Sequence, residues 1–388
     1  MFNVAERMSL LKTESAFAIL AKAKQLEAQG KSVIHLEIGQ PDFSTPTNII
    51  EAAYKAMKNG YTGYTPTPGL PEARETIAEY CRKHKNVDAK AENVVIVPGG
   101  KPVMFYTMLM LVNPGDEVIY PDPGFPIYES CITFAGGKPV PMPLLEKNGF
   151  SIDIEGFKKL ITNKTKLIIL NTPSNPTGSI FPKEDILKIY EIIRGKGIFV
   201  LSDEIYDRIV FDGEPFSIAS LPDMKDYTII LDGFSKTYAM TGWRLGYGIM
   251  HPELVAHMTM LMVNSNSCAA SFSQMAAIEA LTGPQDAVDK MVAAFNERGK
   301  YLATALGSIS GMSCVIPKGA FYVFPNISKL GLTSAEFADR LLNEGGVAAC
   351  GGTAFGGYGE GYLRLSSANS MENLEIAVER IAKFVKTL

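Results

Sequence analysis

The chain has 388 residues, of which 46% are apolar and 20% are charged, a composition typical of a soluble globular protein rather than a disordered one. Its 37 basic and 41 acidic residues give a formal net charge of −4, without a long block of either sign. This balance argues against nucleic acid or an anionic membrane as the partner, and the length favours two or three domains.

Short β-branched runs alternate along the chain with longer segments of helical period. Because this alternation is typical of βαβ units, we predict an α/β fold with a mostly parallel central sheet. A first helix is predicted at 15–29, closed by Gly30. Strands are predicted at 94–97, 117–120, 167–170, 198–202, 228–231 and 245–249, and helices at 103–112, 126–135, 154–161 and 183–194.

The last quarter of the chain has a different pattern. A long helix is predicted from Pro284 to residue 306, followed by strands at 320–324 and 362–365 and helices at 334–343 and 371–386. We therefore predict a large domain over 47–285 and a smaller α/β domain built from both ends of the chain. Residues 1–46 would form an N-terminal arm and the first part of this small domain, and 286–388 the remainder.

The sequence predicts a cytoplasmic protein. Its longest apolar run, 102–112, is about half of the roughly 20 residues that a bilayer span requires. Charged residues, Glu6 and Lys12 among them, interrupt the N-terminus where a signal peptide needs an apolar stretch. The five cysteines are widely spaced without a C-x-x-C pair, so we predict reduced thiols and no metal site.

Four polar or glycine-rich clusters occur where predicted strands end, which is the edge at which open α/β sheets bind ligands. They are PGGKP at 98–102, NTPSNPTG at 171–178, SDEIYDR at 202–208 and GFSKTYAMTGWRLGYG at 233–248. Each cluster alone is compatible with an ordinary turn or a solvated surface. Together they meet the needs of a phosphorylated heteroaromatic aldehyde as cofactor.

Three roles are required for such a cofactor, and the clusters supply each of them. Lys236 offers an amine for the aldehyde, Asp203 a carboxylate for the ring nitrogen, and Ser235 with Arg244 a phosphate site.

These motifs resemble those of the pyridoxal 5′-phosphate-dependent class I and II aminotransferases of fold type I, in particular the aspartate aminotransferase branch common in prokaryotes. The segment SKTYAMTGWRLGY is the most specific. The resemblance implies transfer of an amino group from an L-amino acid to a 2-oxo acid such as 2-oxoglutarate. It extends over EIGQPDFSTP at 37–46, GYTGYTPTPGLPEARE at 60–75, GAFYVFP at 319–325 and GYLRLSSANSMENL at 361–374.

The resemblance also implies roles for individual residues around the cofactor ring. Lys236 matches the lysine that holds the cofactor and moves the substrate proton, and we expect nearby cations to lower its pKa. Asp203 matches the partner of the ring nitrogen. Tyr206 and Asn175 match the contacts to the ring hydroxyl, and Phe125 matches the aromatic side chain that stacks on the ring.

At the phosphate, the implied ligands are Gly99, Gly100, Lys101, Ser235 and Arg244, with amides at the start of a helix as the anion site. Tyr64 matches a tyrosine that reaches the phosphate of the neighbouring subunit, which implies a homodimer with active sites at the subunit interface. For the substrate, the implied residues are Arg364, which would grip the α-carboxylate with two hydrogen bonds, and Gly39, Phe125 and Asn175.

The choice of amino acid donor is left open by the sequence. Dicarboxylate-specific members of this branch combine the lysine equivalent to Lys101 with small hydroxyl residues on the first helix. Here the corresponding stretch KTESAF has Glu14 and Ala16. Glu14 would repel a second carboxylate unless Lys101 neutralises it, so a neutral, aromatic or basic donor is possible. Glu14 would have no such effect if it pointed to solvent.

Two alternatives to an aminotransferase remain at this point. A lyase or another carbanion reaction would use the same fold and cofactor, because the protein only steers the fate of the carbanion. A ligand-sensing domain of a transcription regulator would need a DNA-binding segment. Only a short stretch without a basic patch precedes the first predicted helix.

Overall fold

A computed structural model gives the fold of residues 4–388. The helices are Ser15–Ala28 (α1), Thr47–Lys58 (α2), Pro71–His84 (α3), Lys101–Leu111 (α4), Ile127–Phe134 (α5), Ile154–Leu160 (α6), Lys183–Ile193 (α7), Met224–Tyr227 (α8), Pro252–Val263 (α9), Ser271–Thr282 (α10), Asp286–Gly307 (α11), Ser334–Arg340 (α12) and Met371–Val385 (α13). The strands are Ile34–His35 (β1), Val94–Val97 (β2), Glu117–Asp122 (β3), Lys138–Pro143 (β4), Thr165–Asn171 (β5), Phe199–Asp203 (β6), Thr228–Gly233 (β7), Gly246–Ile249 (β8), Tyr322–Val323 (β9), Val347–Ala348 (β10), Cys350–Gly351 (β11) and Leu363–Ser366 (β12).

A seven-stranded sheet in the order β2-β8-β7-β6-β5-β3-β4 forms the centre of the molecule. Strand β8 is antiparallel to both of its neighbours, and the other pairs in the sheet are parallel. The register aligns Asn171 with Asp203 and Asp203 with Leu231. The carboxyl ends of β5, β6 and β7 therefore lie side by side.

The strands of this sheet are apolar because both faces are covered. Alternate residues point to opposite faces, so Leu167 and Ile169 pack in one core with Val103 of α4. Ile168 and Leu170 pack in another core with helix α7. This two-sided burial explains why β5 is a continuous apolar run rather than an alternating one.

The two ends of the chain meet in a smaller assembly. Strand β1 pairs in parallel with β10, with Ile34 opposite Val347, and β11, β12 and β9 form a three-stranded antiparallel sheet. Leu36 shares a core with helices α11 and α13. This arrangement is compatible with the expected small domain, and the boundaries at 46 and 285 stay a prediction. Within residues 4–388 no helix is both long and apolar enough to span a membrane.

The predicted elements differ from the structure mainly at their ends. The predicted strand at 320–324 shortens to β9, and the predicted helix at 334–343 divides into α12 and a π-helical turn at Leu341–Gly345. Strand β4 was missed because KPVPMP has a proline at every second position. Such a strand is tolerated at a sheet edge, which is where β4 lies. Helices α2, α3, α8 and α10 and the two-residue strands β1, β10 and β11 were also not predicted.

Candidate active site

A cavity of about 350 Å³ opens at the carboxyl ends of the central strands, between them and the segments that contain β12 and the start of α1. It brings together residues that are far apart in the sequence. Of the predicted site residues, those that line it are Gly39, Gly100, Lys101, Phe125, Asn175, Asp203, Tyr206, Ser235, Lys236, Arg244 and Arg364.

Lys236 follows the end of β7 by three residues, and its Nζ donates a hydrogen bond to the carbonyl of Gly39. Burial lowers the pKa of Lys236 to about 8. The positive charge of Arg364 acts in the same direction, whereas Glu14 opposes it. A substantial fraction of this amine is therefore neutral and nucleophilic near physiological pH.

Asp203 is the last residue of β6, and its carboxylate is fixed by two neutral donors. The Tyr128 hydroxyl donates to Oδ2 at 2.5 Å, and the Ile205 amide donates to Oδ1 at 3.4 Å. Burial raises the pKa of Asp203 to about 6 in spite of these hydrogen bonds. A cationic partner in the cavity would stabilise the ionised form.

A chain of polar contacts connects the floor of the cavity to Arg364. Asn171 donates from Nδ2 to the carbonyl of Asp203 at 3.1 Å, and its Oδ1 accepts from the Asn175 amide at 3.0 Å. The Oδ1 of Asn175 in turn accepts from Nη1 of Arg364 at 3.3 Å. Asn175 is thus held between the side chain of Asn171, at the end of β5, and the guanidinium of Arg364.

Arg364, in β12, is only 4% exposed. Its Nη2 donates to the carbonyl of Glu37, and its guanidinium lies over the rings of Tyr322 at 4.7 Å and Phe355 at 4.9 Å. Its Nε is buried without a hydrogen-bond partner among residues 4–388. Because an unpaired buried donor is costly, this guanidinium is suited to bind an anion from the cavity.

The start of helix α4 forms an anion site. Gly100 precedes its first residue, Lys101, and the first amides of a helix have no acceptor within it. A Cβ at Gly99, where φ is +84°, would lie 2.2 Å from Nη2 of Arg244. Only glycine therefore allows this guanidinium to approach the turn. With the Ser235 hydroxyl, these groups fit a phosphate.

The side chains of Lys101 and Glu14 form an ion pair between Nζ and Oε1, and we call this part of the cavity its side-chain end. The Lys101 side chain is 52% exposed and lies 5.6 Å from the ring centre of Phe125, while Glu14 is only 18% exposed. Glu14 therefore faces the cavity and does not point freely to solvent.

Three residues of the site were not predicted individually: Tyr128, Asn171 and Tyr322. Tyr322 hydrogen-bonds through its hydroxyl to the Tyr206 hydroxyl at 2.8 Å. Asn171 and Tyr322 lie within motifs singled out in the sequence, and Tyr128 follows Phe125 by three residues, so proximity to predicted site residues was the available signal.

Tyr64 is not brought into the cavity of its own chain. It lies in a loop and is 92% exposed. In the part of the chain that the structure describes, no group of three or more histidine, cysteine, aspartate or glutamate side chains could hold a metal ion. The five cysteines are free thiols.

Comparison with known proteins gives the family of this chain. The family described as Aminotransferase class I and II matches residues 31–381. An aspartate aminotransferase of Bacillus sp. (strain YM-2) is 40% identical over 99% of both chains. Aromatic-amino-acid aminotransferase 2 of Thermococcus litoralis is 39% identical over 92% of this chain and 93% of its own.

Solved structures agree with this relationship. The aspartate aminotransferase of Thermus thermophilus, in a complex with maleate, has a TM-score of 0.94 at 36% identity, covering 99% of this chain and 100% of the other. The chain belongs to the class I and II aminotransferases. It has fold type I, uses pyridoxal 5′-phosphate and transfers an amino group to a 2-oxo acid, so these predictions are confirmed.

The residues of the cavity fit this cofactor. The glycine turn against Arg244 would accept its phosphate, the buried carboxylate of Asp203 its protonated ring nitrogen, and the amine of Lys236 its aldehyde.

Proposed function

We propose that Lys236 is the residue that holds the cofactor and transfers the substrate proton, with Asp203 on the ring nitrogen and Tyr206 and Asn175 on the ring hydroxyl. The lowered pKa of Lys236 supports this role, because a base must lose its proton near the working pH. Phe125 would lie against the ring face. Gly99, Gly100, Lys101, Ser235, Arg244 and Tyr64 of a second subunit would hold the phosphate.

The substrate α-carboxylate would bind Arg364 in two-pronged fashion, next to the backbone of Gly39. Pyridoxal 5′-phosphate, when bound, withdraws electrons from the substrate α-carbon and makes its proton acidic. Lys236, released when the substrate amine replaces it on the aldehyde, would take that proton and return it to the cofactor side of the substrate. Asp203 supports this step because its negative charge keeps the ring nitrogen protonated, and a 2-oxo acid leaves the site after hydrolysis.

For the donor, we propose an L-amino acid with an uncharged side chain, with 2-oxoglutarate as the acceptor. The observation that carries this proposal is the ion pair between Lys101 and Glu14. While it is closed, the pair presents almost no net charge to a substrate side chain. For 2-oxoglutarate, the half-exposed Lys101 would exchange Glu14 for the distal carboxylate.

Aspartate is the second candidate donor, and the names of the relatives support it. It would require the same exchange at Lys101 as 2-oxoglutarate. We also propose a cytoplasmic homodimer with active sites at the subunit interface. The 92% exposure of Tyr64 supports an assignment in which this side chain acts across the interface.

The test is the visible absorption of the protein loaded with pyridoxal 5′-phosphate, recorded with single L-amino acids in the absence of an acceptor. Donors should bleach the yellow band, and 2-oxoglutarate should restore it. Faster bleaching by uncharged amino acids than by aspartate supports the main proposal, and the reverse order supports the second candidate. If no amino acid bleaches the band, the assignment of this cavity as the transamination site is wrong.

A further inference from the structure

A buried ion cluster lies behind the active site, outside its cavity. Its centre is Lys85, the residue after helix α3, whose side chain is 4% exposed. The Lys85 Nζ lies 2.9 Å from Glu204, 2.5 Å from Asp207 and 3.0 Å from Asp232. The proposed reaction uses none of these four residues directly.

The three carboxylates belong to the same segments as the proposed catalytic residues. Glu204 directly follows Asp203, and Asp207 directly follows Tyr206. Asp232 lies near the end of β7, shortly before Lys236. Lys85 therefore connects the segment after β6 with the end of β7 through one ammonium group.

The remaining hydrogen bonds of the cluster come from neutral donors. Ser202 and Ser217 donate to Glu204 at 2.8 and 2.6 Å, Tyr80 donates to Asp207 at 3.3 Å, and Tyr247 donates to Asp232 at 2.8 Å. Neutral donors satisfy the oxygens but do not cancel their charge. Lys85 is thus the cation in direct contact with all three carboxylates.

The electrostatics of the cluster depend on this cation. Burial acts to lower the pKa of Lys85, but Asp207, Asp232 and Glu204 outweigh it and hold the pKa well above its ordinary value. Burial and the neighbouring Asp207 raise the pKa of Asp232, and Lys85 opposes that rise. Lys85 therefore stays charged at neutral pH and favours the ionised form of Asp232.

We propose that Lys85 is a positioning residue for transamination. It fixes the turns after β6 and β7 relative to each other and offsets the negative charge behind Asp203 and Lys236. This inference rests on the roles proposed above for those two residues. Glu204 is the link to the reaction site, because its charge raises the pKa of the adjacent Asp203.

Other charged or titratable groups also face the proposed catalytic pair and must stay unchanged in a test. Those that act on Lys236 are Arg364, Glu14, Lys101 and Arg244. Those that interact electrostatically with Asp203 or the cluster are Tyr128, Tyr206, Tyr80, Tyr238, Tyr247, His84 and Arg208.

Space beside the cluster allows a conservative replacement. A second cavity of about 280 Å³ is lined by Lys85, Glu204, Asp207 and Arg208. An arginine at position 85 is longer than lysine but can extend toward this space. Lys85→Arg is therefore the rescue variant, and Lys85→Met, with similar length and no charge, is the variant that tests the proposal.

The experiment measures the pH at which the visible band of the cofactor-loaded protein changes by half, which reports the proton held at Lys236. In Lys85→Met the midpoint should rise by roughly one pH unit, because the uncompensated carboxylates favour the protonated form. In Lys85→Arg, which keeps the positive charge, the midpoint should stay at the wild-type value. Asp232→Asn should lower it, since that change removes negative charge, and the double variant Lys85→Met/Asp232→Asn should lie between the two single variants.

Steady-state kinetics provides a second measurement. Because Lys85 does not line the substrate cavity, kcat should fall about tenfold in Lys85→Met while KM for the amino acid changes less than twofold. A lower melting temperature with an unchanged midpoint and kcat would overturn the proposal and leave a purely structural role. If Lys85→Met does not fold, an unchanged midpoint in Asp232→Asn overturns it. Loss of the Lys236 assignment would show separately, as a yellow band that persists in Lys236→Ala.

Discussion

The cofactor end and the side-chain end of the active-site cavity differ in how tightly their residues are packed. At the cofactor end, Asp203 is 6% exposed and is held by Tyr128, and the glycine turn at Gly99 has no room for a Cβ. At the side-chain end, Lys101 is half exposed and the side chain of Phe17 is 60% exposed. The difference indicates that the groups proposed for the chemistry are fixed by packing, whereas substrate choice depends on a few exposed groups.

The largest effect is expected when the amine of Lys236 is removed from the cofactor end. Lys236→Ala should reduce kcat at least a thousandfold, because both the attachment point and the proton-transfer base are lost. The protein should still fold, as judged by circular dichroism and its melting temperature. Lys318→Ala, at an exposed site, is the control. Turnover at the wild-type rate in Lys236→Ala would contradict the central assignment.

Replacing Arg364 tests the proposed binding site of the substrate α-carboxylate. Arg364→Leu should lower kcat/KM for every amino acid donor about a hundredfold, because the α-carboxylate loses a charged pair of hydrogen bonds. The loss should be similar for all donors, since the α-carboxylate is common to them. Arg340→Leu removes a surface arginine paired with Glu344 and serves as the control. A loss confined to donors with one class of side chain would show that Arg364 binds the substrate side chain and not the α-carboxylate.

The pKa of Lys236 predicts how cofactor loading depends on pH. With a value of about 8, the amine of the cofactor-free protein is mostly protonated at pH 6 and mostly free at pH 9. The rate of loading should therefore rise about tenfold per pH unit below pH 8 and level off above it. Stopped-flow absorbance at several pH values measures this profile. A plateau that begins only above pH 10 would mean that the site does not lower the pKa of Lys236.

The smallest effect is expected at the side-chain end. Glu14→Ser should lower KM for aspartate and 2-oxoglutarate about five- to tenfold, because Lys101 is then free to bind the distal carboxylate. KM for uncharged donors should change less than twofold. Glu14→Gln, which keeps the size and removes the charge, separates electrostatics from shape. Equal effects on charged and uncharged donors would show that Glu14 does not select substrates.

The sequence predicted most residues of the cofactor end and only part of the side-chain end. Lys236, Asp203 and Asn175 follow strands of strong apolar character, so their meeting at one sheet edge could be predicted from topology. Tyr128 was missed because it lies in a predicted helix, where a tyrosine among apolar residues normally packs in the core. The direction of Glu14 could not be predicted, since it depends on a contact with Lys101 in a distant segment.

The cluster around Lys85 shows the same limit. The sequence presents a lysine after a helix and three acidic residues in two other segments, each typical of an exposed surface. Their burial depends on how helix α3 packs beside the ends of β6 and β7. Long-range packing of this kind has no local sequence signal, unlike the hydrophobic period of a strand.

The pairing of Ile34 with Val347 has a consequence for how the protein is made. During synthesis, strand β1 leaves the ribosome early, but its partner β10 follows only after almost the whole chain has been translated. The central sheet, whose strands all lie between 94 and 249, can assemble before that point. Strand β1 therefore cannot pair with β10 until the last part of the chain has emerged, so the smaller assembly is completed after the central sheet.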